Sequence, residues 1–245
     1  MVLVTHAGGG NVTGTARGLV KAGSIDTLVV GVSVDLRGLH MASDFDFNRK
    51  SFTTGHTGFG IPFLTWPDRT DVPRNCARGL RYLDRYVLVS QGEVFYTTEL
   101  LAKLEGMERG PAGNTSLAGA IAIAREIDKD QILVVQETEY TAAGKLPSSQ
   151  LTFARENGIE VSRGNPEEDL PGKRIVIPEK AEQIRAEDFD MGKIRLSYIK
   201  NAIKVSGGYT PTREDRLFLA EDSKSSLDFV REAIESLDIN PSGTA

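Results

Sequence analysis

The sequence predicts an α/β protein, an open and mostly parallel sheet with helices on both faces, followed by a helical C-terminal appendage. Three observations carry that prediction. Residues 1–5 are a short apolar run of β type that enters His6-Ala7-Gly8-Gly9-Gly10-Asn11 directly. Residues 11–21 then place apolar or small side chains at 12, 15, 16, 19 and 20, the spacing of a helix with one packed face. Residues 26–34 form a β-branched run, the pattern of a strand buried on both faces. Strand, glycine turn, helix and strand make a βαβ unit, and its chemistry gathers at the first turn.

Further along, residues 35–75 hold aromatics, Gly and Pro with little periodicity and read as a long ordered loop with short helical pieces. Residues 75–82 read as a helix and 86–90 as a strand. Residues 92–105 read as a helix with apolar positions at 94, 95, 100, 101 and 104. A stronger helix is predicted over 114–127, with a polar cap region and Leu117, Ile121 and Ala124 on one face. Residues 132–135 read as another buried strand. Residues 148–157 read as a helix closed by Gly158, where a left-handed residue is wanted. Residues 159–161 and 174–177 read as short edge strands. After Pro178 the chain becomes charge-rich and helical, which divides it into an α/β region over 1–178 and an appendage over 179–245. Within the appendage, Thr212-Arg213-Glu214-Asp215 opens one helix with a capping pattern, and residues 226–237 form an amphipathic one through 227, 230, 234 and 237.

Composition narrows the function. The chain has 245 residues, with 29 Lys and Arg against 34 Asp and Glu, for a net charge of −5. With no basic stripe, that charge excludes a general nucleic-acid footprint. A lone cysteine, Cys76, excludes a disulfide framework and a cysteine-built metal site, and it fits a reducing compartment. The longest apolar runs, such as Leu28-Val29-Val30-Gly31-Val32, fall far short of the ~20 residues of a membrane span. The N-terminus lacks the basic and long apolar regions of a signal peptide. A cytoplasmic protein is expected, with no membrane and no nucleic-acid partner.

Gly8, Gly9, Gly10 and Asn11 are the first candidate site. Glycines between a strand and a helix let backbone N–H groups converge on one point, and the helix N-terminus adds positive potential, which makes a phosphate cradle. A tight βα turn whose glycines merely pack is the bland alternative. A nucleotide-binding Rossmann-like domain is the rival, because Asp35 ends the next strand where a ribose-binding acid sits. Against it, Thr13 stands where the third glycine of G-x-G-x-x-G belongs. No Gly-Lys-Ser/Thr follows, so a Walker A loop is excluded. Residues 106–120 are a small-residue-rich entry to a helix, and residues 132–138 are a strand that releases polar groups at its end. Ligands of open α/β sheets bind outside the carboxyl ends of strands, which puts the glycine loop and Thr138 on the functional edge. His6 reads as a satisfied strand-end histidine or a cofactor contact. His40 and His56 lack metal-ligand spacing, so no metal site is predicted.

The glycine loop at 6–11, the helix entry at 106–120 and the strand with its threonine at 132–138 follow one another in the order found in fold-type II pyridoxal-phosphate enzymes. The chain resembles the C-terminal half of that family, which includes tryptophan synthase β, threonine synthase and cysteine synthase. The resemblance implies pyridoxal 5′-phosphate as cofactor, with its phosphate held by Gly8, Gly9, Gly10 and Asn11. In the tryptophan synthase pattern the hydroxyl on the pyridine nitrogen is Thr138; in the cysteine synthase pattern it falls near Thr115 or Ser116. A neutral hydroxyl there leaves the ring nitrogen unprotonated and tempers the electron sink. Two stretches, residues 134–145 and Thr210-Pro211-Thr212-Arg213-Glu214-Asp215, resemble more closely a member that uses coenzyme A to split an amino-acid substrate of ornithine fermentation into acetyl-CoA and alanine.

The resemblance also implies an incomplete enzyme. The family's Schiff-base lysine lies well before the glycine loop, and neither Lys21 nor Lys145 has that position. A complementary N-terminal segment or chain carrying the lysine is therefore expected, with a small companion subunit and an oligomer. The chain alone would be inactive. A non-catalytic interaction subunit is the remaining alternative, from a different functional class.

Overall fold

The computed structural model describes residues 1–6, 9–35, 79–137, 147–170, 172–207 and 209–237. The expectations for most of the loop at 35–75, for the helix start at 75–78, and for Gly8, Thr138 and Lys145 fall outside those residues.

β1 (Val2–Thr5) lies inside a five-stranded sheet of order β4-β1-β2-β3-β7. β2 (Val29–Val34) pairs parallel with β1 in the register Val2 to Val29, and β3 (Arg85–Val89) pairs parallel with β2. On the other side of β1, β4 (Val134–Gln136) adds a parallel strand, with Val134 opposite Val2. β7 (Glu187–Asp188) closes the far edge antiparallel to β3. The sheet therefore grows from β1 in both directions, which makes the β1–β4 boundary a topological switch point.

Strand alternation sends Val2 and Val4 to one face and Leu3 to the other. On the first face α1 (Gly10–Lys21) packs Val12 and Ala16 with Val29, Tyr86 and Leu88. On the second, α3 (Thr115–Ile123) packs Ala118, Ala120 and Ile123 against Leu3, Val30, Val32 and Val87. A Cβ on Gly119 would stand 2.9 Å from Val32 Cγ1, so that glycine sets how closely α3 seats on the sheet.

α2 (Gln91–Glu105) starts in a capping box with Ser90 and rests on a second, two-stranded parallel sheet. That sheet pairs β5 (Glu160–Gly164) with β6 (Arg174–Pro178). Phe95, Ile175 and Ile177 form its core with Leu151 and Ala154 of α4 (Pro147–Glu156). Gly158 has φ 77°, the left-handed stop expected there. The C-terminal helices are α5 (Met191–Val205), α6 (Arg213–Ser223) and α7 (Leu227–Glu235). They share a core of Ile199, Ile203, Leu219, Val230 and Ala233, and the Thr212 capping box opens α6 as predicted. Among the described residues no helix is long and apolar enough to cross a membrane.

Three expectations change. The helix predicted over 114–127 ends at Ile123. The strand predicted as buried at 132–135 is β4, with Val134 54% exposed, because among the described residues only β1 flanks it. Residues 187–188 pair with β3 although they are two acids, since backbone pairing at a sheet edge needs no apolar side chain.

Candidate functional site

The carboxyl end of β1 leads into α1, whose N-cap is Gly9 at φ 78° and ψ −10°. That left-handed conformation suits glycine and turns the chain sharply onto the helix axis. Among the described residues no side chain caps α1 and its first turn carries no acid, so its N–H groups and positive end suit an anion. A Cβ on Gly10 would meet nothing within 4 Å. Gly9, Gly10 and Asn11 thus stand together at one helix start.

The start of α3 is tied to the same strand end. Thr5 Oγ1 donates to the carbonyl oxygens of Ala112 (3.1 Å) and Gly113 (3.3 Å), and it accepts from Ser116 N at 3.1 Å. Ser116 Oγ donates to Gly113 O (3.0 Å) and to Gln136 O (3.1 Å) at the end of β4. Thr115 Oγ1 makes a long contact of 3.4 Å to Pro111 O. Thr115 and Ser116 are both buried. The start of α3 therefore meets the ends of both strands at the switch point, tied to β1 by Thr5 and to β4 by Ser116. A strand-end threonine carries no sequence signal for this role; its partners lie more than 100 positions away.

Among the described residues, several buried polar side-chain atoms on these elements lack a hydrogen-bond partner. Thr13 Oγ1 in the first turns of α1, Asn114 Oδ1 before α3 and Gln136 Oε1 at the end of β4 have none. Such atoms cost free energy unless something fills them. An uncapped helix start beside polar atoms awaiting partners fits a phosphate-bearing cofactor with a polar ring. His6 is buried and meets the Tyr86 ring edge-on at 5.5 Å, on the α1 face of the sheet. Asp35 stands at the end of β2, where its backbone N–H donates to Val89 O at 2.7 Å. Among the described residues no His, Cys, Asp and Glu cluster could hold a metal ion.

An open, mostly parallel sheet with a glycine-led helix start at its switch point is an architecture that binds ligands at the carboxyl edge of its strands, and comparison places the chain in a family. Residues 1–137 match the pyridoxal-phosphate dependent enzyme family, and the chain belongs to it. At 65% identity over 238 residues, it is similar to a 2-amino-4-ketopentanoate thiolase beta subunit of an unknown prokaryotic organism, a match covering 97% of this chain and 50% of the relative. The subunit of the same name from Acetoanaerobium sticklandii is 58% identical over 237 residues, covering 97% of this chain and 50% of that protein. The chain spans about half the length of the curated relatives it matches. No solved structure matches it.

Proposed function

We propose that the chain supplies the cofactor-phosphate cup of a 2-amino-4-ketopentanoate thiolase. In that reading the enzyme uses coenzyme A to split its amino-acid substrate into acetyl-CoA and alanine. The observation that carries the reading is the switch point, where the uncapped start of α1 and the start of α3 converge on the ends of β1 and β4. Gly8, Gly9, Gly10 and Asn11 hold the phosphate through backbone donors and helix potential. Thr115, Ser116 and Thr138 are the hydroxyl candidates that would meet the ring nitrogen. Bound there, pyridoxal phosphate supplies an electron sink for the substrate's amino-bearing carbon. The chain's own part is to anchor, orient and desolvate one side of the ring.

The lysine that holds the cofactor covalently belongs, in this reading, to the part of the relatives' length that this chain does not span. A companion subunit follows from the relatives' naming as beta subunits, and the assembly is an oligomer working in the cytoplasm. The chain alone is then inactive. The experiment combines the chain with the remaining length of its relatives and records an absorbance spectrum with pyridoxal phosphate. A cofactor band near the visible, with coenzyme A-dependent formation of alanine, is the expected outcome. Absence of the band, with nucleotide binding sensitive to Asp35→Ala instead, would overturn the reading in favour of a nucleotide domain.

A further inference from the structure

We propose that the outward face of α6, centred on Leu217 and Phe218, is the docking surface for the companion subunit, and that it fits a segment whose apolar side chains are flanked by lysine or arginine. The inference rests on the companion subunit proposed above and adds where that subunit binds.

Two faces are written into α6 at helical spacing. Leu219 and Ala220 lie in the core shared with α5 and α7, and Ser223, a turn further on, is buried too. Glu214, Leu217, Phe218 and Glu221 follow the i, i+3, i+4, i+7 spacing of a second stripe, and all four are exposed. Leu217 is 46% and Phe218 60% exposed. Tyr209, 47% exposed, sets its hydroxyl against Asp215, one turn before Phe218. The inward face already docks the helix, so this second apolar stripe does nothing for the chain's own packing. Apolar groups gathered on one exposed face mark contact surfaces, and aromatic side chains are their usual anchors.

The face is also held in place. Glu221 pairs with Arg81 at 2.6 Å, Asp222 accepts from the Tyr198 hydroxyl, and Lys224, just past the helix, pairs with Asp84. Arg81 and Asp84 lie immediately before β3, so α6 is fastened to the main sheet. A partner meeting a surface fixed in this way has little ordering left to impose.

Charge selects the occupant. Glu214 and Glu221 stand at the two ends of the apolar pair, with Asp215 and Asp222 alongside. A twofold contact between two copies would set these carboxylates against their own counterparts, and like charges oppose it. A different chain with basic residues around an apolar anchor complements the face. The comparisons point the same way. The family match ends at residue 137, whereas the thiolase beta subunits match over 97% of the chain, a span that takes in α6. The face therefore belongs to a region shared with proteins named as subunits and lies beyond the family-wide match.

The test joins the chain to the remaining length of its relatives and titrates it with the companion subunit of the Acetoanaerobium sticklandii protein, whose own beta subunit serves as the binding control. Phe218→Ala should weaken binding about 30-fold, the loss of one anchor residue. Glu214→Lys should slow association and flatten its salt dependence. Leu104→Ala, at an equally exposed apolar position on α2, should bind as the unaltered chain does. All three side chains are exposed, so urea unfolding should be the same across the set. Unchanged companion binding in both Phe218→Ala and Leu217→Ser would overturn the docking face and leave the companion subunit standing. So would a change in the chain's own oligomeric state in those variants with companion binding intact, which would make the face a contact between copies. A companion that binds its own beta subunit but not the unaltered chain would overturn the companion reading and this inference with it.

Discussion

Glu93 Oε1 accepts the backbone N–H of Arg185 at 2.7 Å, which ties the first turn of α2 to the chain between β6 and β7. Its other oxygen accepts from Ser90 N at 2.7 Å and completes the capping box. The carboxyl is almost wholly buried, and burial pushes its pKa up to about 7 although the backbone donors pull it down. A protonation event near neutrality therefore sits at a junction between the main sheet, α2 and the small sheet.

The sign follows from linkage. Folded Glu93 holds a proton up to about 7, whereas the unfolded chain releases it near 4.5. Between those values the folded state binds more protons, so this group's contribution to stability falls as pH rises through the window and is flat above it. Integrated, the loss is about 3 kcal/mol at most. Urea unfolding across that pH range should show it, and Glu93→Gln should remove this part of the slope. Parallel pH profiles for the two proteins would refute the buried-carboxyl account.

Gly92 fixes the contact between α2 and β6. A Cβ there would lie 1.7 Å from Val176 O, a backbone atom that cannot step aside. Gly92→Ala should cost about 3 kcal/mol or more in chemical unfolding, beyond ordinary overpacking. Gly106→Ala is the comparison: its φ of 65° is strained for alanine, but the space around it is open. That change should cost only about 1–2 kcal/mol.

Local patterns were legible in the sequence where local physics decides them. The change from an unbroken apolar run to a helical period marked β1 and α1, Gly158 marked the end of α4, and Thr212 with Asp215 marked the start of α6. Long-range placement was not legible. The apolar letters of residues 132–135 are the same for a central strand and an edge strand; only the strand order makes Val134 an exposed residue. Ser90 and Glu93 spell a capping box, yet nothing local says that the carboxylate is buried against Arg185. Thr5 capping α3 depends on a contact across more than 100 residues, which no local pattern at the helix entry spells out.

The edge at β4 should govern association of the chain. Val134 is 54% and Ile132 75% exposed, beside a strand with an open hydrogen-bonding side among the described residues. Unprotected edges pair with other chains. Light scattering should detect self-association of the chain alone, and Val134→Lys should reduce it by placing a charge on the strand. Equal association of both proteins would mean that contacts elsewhere drive it.

The phosphate cup is best tested at Gly10. Its φ is not in the left-handed region and a Cβ there meets nothing within 4 Å, so a side chain costs little space. An aspartate in the first turn of a helix also interacts favourably with the helix end, by about 0.3–1 kcal/mol. Gly10→Asp should therefore fold with unchanged or slightly higher stability. Its carboxylate nevertheless stands where an incoming phosphate must sit. Two unit charges 4 Å apart repel by about 4 kcal/mol at the screening typical of a protein surface, enough to lower phosphate affinity by more than ~100-fold. Gly10→Asn, nearly the same size without the charge, should lose far less, which separates electrostatics from bulk. Gly9→Asp makes a harsher version of the same change, because φ 78° adds backbone strain to the charge. The measurement is titration of each variant with pyridoxamine 5′-phosphate, alongside urea unfolding to confirm the fold. If Gly10→Asp binds the probe as tightly as Gly10→Asn, the anion does not sit at the start of α1, and Gly9 and Gly10 serve only to turn the chain.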